Sequence, residues 1–204
     1  MEDIQIKSYC QLFPGQVRLN GKVYIESVQK PCEMQAFLTD LYNRLGIDYR
    51  KFFKMDVLSK QGFLAAELLM NGFEREQPKE DTAIILFNRT GSLNADEAYQ
   101  LTIPADGDYF PSPAVFVYTL PNIVTGEIAI RNRIHGETVF YVLPQPQGQP
   151  MEAIIRETML SAGMKYALAG WLEAESGSFM MLCEAGGNDG LMALNAGNIE
   201  KMIN

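Results

Sequence analysis

Histidine is nearly missing from this chain: His135 is the only one in 204 residues. Chemistry that needs two imidazoles as proton donors or general bases therefore cannot come from this chain alone. Cysteine is also scarce. Cys10, Cys32 and Cys183 are odd in number and widely spaced, so they make no metal-binding cluster and are expected to be free thiols. No run approaches the roughly 18 apolar residues of a membrane helix, and the opening MEDIQIKSYC lacks the apolar core of a secretory signal. These two absences predict a cytoplasmic protein with no membrane partner, in which the sequon Asn88-Arg89-Thr90 carries no glycan. Basic residues are outnumbered, 17 against 25 acidic, for a net charge of −8. That balance excludes nucleic acid as a partner. An acidic protein partner would need local basic clusters, and two exist: Arg50, Lys51 and Lys54, then Arg131 and Arg133.

What is present is an ordinary globular composition, 47% hydrophobic and 21% charged. Its length suits one full core, so residues 1–204 are expected to form a single domain. Ile4 to Lys7 alternates as a strand. Val17 to Ile25 alternates on both sides of Asn20-Gly21, which predicts a hairpin closed by a type I′ turn. Ala36 to Leu45 places Phe37, Leu41 and Leu45 on one helical face. Met55 to Asn71 reads as a helix whose small face, Gly62 with Ala65 and Ala66, invites close approach by another helix.

Thr82 to Phe87 is a continuous apolar run, suited to a strand buried on both faces. Asn94 to Gln100 fits a helix loosely, and Thr125 to Arg131 predicts another. Thr138 to Leu143, TVFYVL, is rich in β formers. Met151 to Ala162 has helical spacing, Tyr166 to Ala174 reads as a strand, and Gly177 to Glu184 as a further strand antiparallel to it. Strands alternating with helices predict an α/β layered fold, a mixed sheet flanked by helices with antiparallel additions.

The richest segment is Pro111 to Gln145. It contains Ser112-Pro113, then Asn122, Gly126 and Ala129-Ile130 at helical spacing, then Gly136 and the strand Thr138 to Leu143. This order resembles the stretch of a β-ketoacyl-acyl-carrier-protein synthase that leads to the catalytic cysteine. Lys54-Met55-Asp56 opening an alanine-bearing helix and the Ala-x-Ala-Gly170 of the later strand extend the resemblance from Phe37 to Ala174. The resemblance is to the N-terminal half of such a synthase, and it implies the thiolase-like fold.

At the position of the family's cysteine stands Gln145, within Leu143-Pro144-Gln145-Pro146. An amide forms no thiolate and carries no acyl thioester. The flanking prolines each remove a backbone donor of the kind that builds an oxyanion hole. The second half of a synthase, which supplies two catalytic histidines, has no counterpart here, and His135 falls in a turn before Gly136. The chain-length-factor subunits of polyketide synthases also carry glutamine at this position and pair with a catalytic synthase. The resemblance thus implies a non-catalytic partner of a full-length ketosynthase, or of itself, with Phe116, Tyr118, Asn122 and Gln145 as candidate binding residues. Thr138, Val139, Phe140, Tyr141, Val142 and Leu143 form the candidate interface strand, and an acyl carrier protein is a further candidate partner. No cofactor or metal is expected.

Two other readings stand beside it. An acyl- or small-molecule-binding module would retain an apolar tunnel, with Met151, Met159, Met164, Met180 and Met181 as adaptable lining. A relocated acyltransferase site would need Cys183, the thiol nearest the glycine-rich stretch Ala185 to Gly190, which lacks the lysine of a phosphate-binding loop.

Overall fold

The computed structural model describes residues 3–28, 32–103 and 111–203. The chain opens with a long strand β1 (Ile4–Phe13) that extends well past the expected Ile4 to Lys7. It turns into the hairpin β2 (Gln16–Leu19) and β3 (Lys22–Glu26). Asn20 and Gly21 both have positive φ, 51° and 78°, which is the type I′ geometry that matches strand twist. Helix α1 (Met34–Arg44) follows. A short 3-10 helix (Arg50–Lys54) then leads to α2 (Val57–Leu69). Asp56 caps α2 by accepting from the Ser59 N–H at 3.0 Å.

The apolar run becomes β4 (Thr82–Asn88), buried along its whole length. After α3 (Leu93–Gln100) comes the one-turn α4 (Pro113–Phe116), with Ser112 as N-cap and Pro113 in its first turn. Next are α5 (Ile123–Asn132), β5 (Thr138–Val142), α6 (Gly148–Ser161), β6 (Tyr166–Trp171) and β7 (Ser178–Ala185). The described chain closes with β8 (Met192–Ala193) and α7 (Ala196–Ile203), two elements the sequence patterns do not announce.

All eight strands join one mixed sheet in the order β3-β2-β1-β7-β6-β4-β5, with β8 beside β1. Only β5, β4 and β6 run parallel, and β7 is antiparallel to β6 as expected. Alternate residues of β4 feed opposite cores: Ile84 and Leu86 pack under α1, α2 and α5, while Ile85 and Phe87 pack under α6 and α7. The result is a helix–sheet–helix sandwich. The small face of α2 has its predicted use: a Cβ on Gly62 would lie 2.5 Å from Val124 of α5, so the two helices meet through a glycine.

Candidate functional site

Strand β5 carries the chain to the carboxyl end of the parallel strands, where Leu143, Pro144 and Gln145 emerge. Gln145 is exposed, three residues before α6 begins at Gly148. It lines a cleft of about 330 Å³ together with Arg89, Phe13, Trp171, Phe179 and Met202. These come from the ends of five different elements. Pro144 and Pro146 also line it, so the turn offers the cleft few backbone N–H groups.

The start of α6 is closed by α7. The Gly148 N–H donates to Glu200 Oε1 at 2.6 Å, and the Ala196 N–H donates to Glu152 Oε2 at 2.8 Å, so each helix caps the other with a carboxylate. A Cβ on Gly148 would sit 2.3 Å from the Ala196 carbonyl, so only glycine allows this crossing. The partial positive charge of a helix start can stabilise a developing anion. Here Glu200 already occupies that role.

The other predicted residues do not converge on Gln145. His135 lies at the opposite end of β5, with Nδ1 2.9 Å from Glu80 Oε1. Tyr118 is buried, and its hydroxyl donates to the buried Glu127 at 3.2 Å. Burial, with Glu127 beside it, pushes the Tyr118 phenol well above its ordinary range. Phe116 and Asn122 are exposed, and neither lines the Gln145 cleft. Of the candidate binding residues Phe116, Tyr118, Asn122 and Gln145, only Gln145 lines this cleft; Tyr118 is buried and Phe116 and Asn122 are exposed outside it.

Cys183 is fully buried and faces the α6–α7 core; burial pushes its thiol up to about 12, so it is a neutral packing group rather than a nucleophile. The same burial raises Cys10 to about 12. The methionines line no shared tunnel, because Met151, Met159 and Met181 pack on one face of the sheet and Met180 on the other. The glycine-rich turn after β7 is tied down by Lys7, which contacts Asp189 at 2.6 Å and Glu184 at 3.1 Å.

Three residues of the two basic clusters are tied to partners of this chain. Lys51 pairs with Glu127 at 2.8 Å, Arg131 with Glu67 at 2.9 Å, and Arg133 donates to the Glu76 carbonyl. Among the described residues no three His, Cys, Asp or Glu side chains gather as a metal site, and no single helix is long and apolar enough to cross a membrane.

Among the described residues, strand β5 is the last strand of the sheet and pairs only with β4. The Leu143 N–H donates to the Asn88 carbonyl, and the Glu137 carbonyl accepts from Ile84. In a parallel ladder this phase turns the odd-numbered residues' backbone toward β4 and leaves the N–H and C=O groups of Thr138, Phe140 and Val142 facing outward. Val142 of that edge is 57% exposed, and the α4–α5 segment exposes Phe116 and Leu120 at 51% each. Gly91 stands between Pro121 and Val142, which joins this corner to the strand.

No family model and no curated protein matches the sequence. Solved structures do match the fold. The ishigamide ketosynthase/chain length factor superposes with a TM-score of 0.60 at 15% identity, covering 89% of this chain and 62% of that one. A ketosynthase in complex with its chain length factor from Xenorhabdus doucetiae gives 0.58 at 13% identity, covering 91% of this chain and 80% of that one. A β-ketoacyl synthase from Burkholderia phymatum STM815 gives 0.53 at 10% identity, over 91% and 59%. This chain thus spans 62% of the first of these relatives and has the thiolase-like fold of ketosynthases and their chain length factors.

Proposed function

We propose that this chain is a non-catalytic, ketosynthase-like subunit that pairs with a full-length ketosynthase in fatty-acid or polyketide-type acyl-chain assembly. The open edge of β5 carries the proposal. Among the described residues, Thr138, Phe140 and Val142 present unpaired backbone groups in a strand of Val, Phe and Tyr, with Val142 exposed and Pro121 near it. An edge of this composition is a template for another strand, and left bare it is an aggregation hazard. Covering it with a partner's strand satisfies both the hydrogen bonds and the apolar surface.

The chemistry at Gln145 agrees with a supporting role. An amide cannot hold an acyl group, and Glu200 already neutralises the start of α6. The thiol and the imidazoles of condensation then belong to the partner. The structures that share this fold include a ketosynthase held in complex with its chain length factor.

The test is to isolate the protein gently from its native cells and identify what co-elutes. A stoichiometric full-length ketosynthase is the expected result. Val142→Pro removes an outward N–H without touching the ladder to β4, so it is expected to weaken that association by about a hundredfold or more while the melting temperature holds. Recovery of the chain without a ketosynthase, or an association indifferent to Val142→Pro, would contradict the proposal.

A further inference from the structure

The cleft beside Gln145 lies where β4 has β5 on one side and β6 on the other, outside the carboxyl ends of all three strands. In an open α/β sheet this is the crevice where ligands bind. Its roughly 330 Å³ falls at the small end of the range for ligand pockets. The walls are aromatic. Trp171 and Phe179 are direct cross-strand partners, both nearly fully buried. Phe13 is positioned by Gly177, where a Cβ would sit 2.7 Å from the ring, and Arg18 lies 5.5 Å from that ring's centroid.

The polar groups of the wall divide into two sets. Ser178 and Glu173 are consumed internally. The Ser178 hydroxyl donates to Gln61 Oε1 at 2.8 Å and accepts from the Glu173 N–H at 2.9 Å. The Glu173 carboxylate accepts from the Arg89 N–H at 2.7 Å and the Thr90 hydroxyl at 3.2 Å. The Arg89 guanidinium and the Gln145 amide have no partner among the described residues. The side-chain groups left to meet a ligand are therefore the Arg89 cation, the Gln145 amide and the Ser176 hydroxyl, at the rim of an aromatic pocket whose one carboxylate, Glu173, already holds two donors.

We propose that this cleft binds a monocarboxylic acid with an aryl body, non-covalently. The ring packs against Trp171, Phe179 and Phe13, where aromatic contacts favour a flat apolar group over a flexible chain. The carboxylate meets the Arg89 guanidinium, which suits it in shape and charge, and accepts from the Gln145 amide. Gln145 thereby has a use that a thiol at this position would not have. The inference does not depend on pairing through β5, which lies outside the cleft.

Trp171 is the chain's single tryptophan, so its emission reports on this cleft alone. The full chain is titrated with 3-phenylpropanoate, followed by Trp171 fluorescence and by calorimetry. Saturation at one site is expected. The uncharged 3-phenylpropan-1-ol, the alkyl acid octanoate and the Arg89→Gln variant are each expected to bind about tenfold more weakly or worse, with Arg89→Lys recovering part of the loss. The Arg89 side chain makes no bond among the described residues, so Arg89→Gln should melt as the parent does. No saturation into the millimolar range, or equal binding of the alcohol, would overturn the proposal. Equal binding of octanoate would overturn the aryl body.

Discussion

The two edges of the sheet are built differently. Strand β3, at one end, is as short as β5, but its pairing with β2 shifts register between Val17 and Arg18. It begins at Lys22 and ends at Glu26, and the Arg44 guanidinium donates to the Glu26 carbonyl at 3.3 Å. Charge, a bulge and a covering side chain are the usual defences of an edge. Strand β5, at the other end, has none of them among the described residues. Its five residues carry no charge, and its register with β4 runs unbroken from Ile84 opposite Thr138 to Asn88 opposite Val142. One edge is charged and bulged, with Val23 and Tyr24 half exposed on it, and the other is regular and uncharged.

Exchanging the two characters tests the contrast. Lys22→Val together with Glu26→Val strips β3 of its charges, and concentration-dependent self-association by sedimentation is the expected outcome. Unchanged sedimentation would mean that the bulge and Arg44 alone protect this edge. The converse change, Val142→Lys, places a charge on β5 and is expected to lower partner affinity about as much as Val142→Pro, with little change in folding.

A smaller effect is expected at the entrance to β5. The Lys79 ammonium donates to the carbonyls of Glu74, Gln77 and Asn132 at 2.8–2.9 Å, fastening the end of α5 just before the edge strand. Lys79→Met leaves those carbonyls without that donor and is expected to cost about 2 kcal/mol in chemical denaturation. A loss of a few tenths only would show that water replaces the ammonium freely.

The smallest expected effect is far from both edges, at the cap of α2. Burial raises the Asp56 carboxyl above its ordinary 3.8, against the pull of the Ser59 bond. A raised folded-state value stabilises fully below the unfolded pKa, and that contribution is lost as pH rises through the folded value. Asp56→Asn keeps the cap and removes the titration. Its stability relative to the parent should therefore increase as pH rises from about 3.8 through the raised value and then level off. Asp56→Ala loses the cap itself, at about 1 kcal/mol. A parallel pH dependence in Asp56→Asn and the parent would rule out Asp56 as its source.

Local chemistry made much of this fold legible in the sequence. Asn20-Gly21 predicts its turn because few other pairs tolerate two positive φ values, and the unbroken apolar run of β4 predicts a strand covered on both faces. Thr138 to Leu143 is recognisable as a strand from its β formers, but that it ends the sheet depends on the crossing of β4 by α6 and is invisible in its own residues. Helix α7 is missed because it is only about two turns long, too short for its spacing to stand out, and its place is fixed by distant contacts with Glu152 and Gly148. The aromatic cleft is missed for the same reason: Phe13, Arg89, Trp171 and Phe179 are far apart in sequence and meet only at the ends of strands. Tyr118 stands among Val115, Phe116, Val117 and Leu120, so its local sequence suits a core or an interface equally, and only the fold shows its hydroxyl turned onto Glu127.

Amide hydrogen exchange on β5, with and without a full-length ketosynthase from the same cells, tests the central claim most directly. Alone, the outward amides of Phe140 and Val142 should exchange fast while those of Tyr141 and Leu143, bonded toward β4, are protected. In the complex, Phe140 and Val142 should slow by orders of magnitude. If they stay fast while protection appears elsewhere on the chain, the open edge is not where this protein meets its partner.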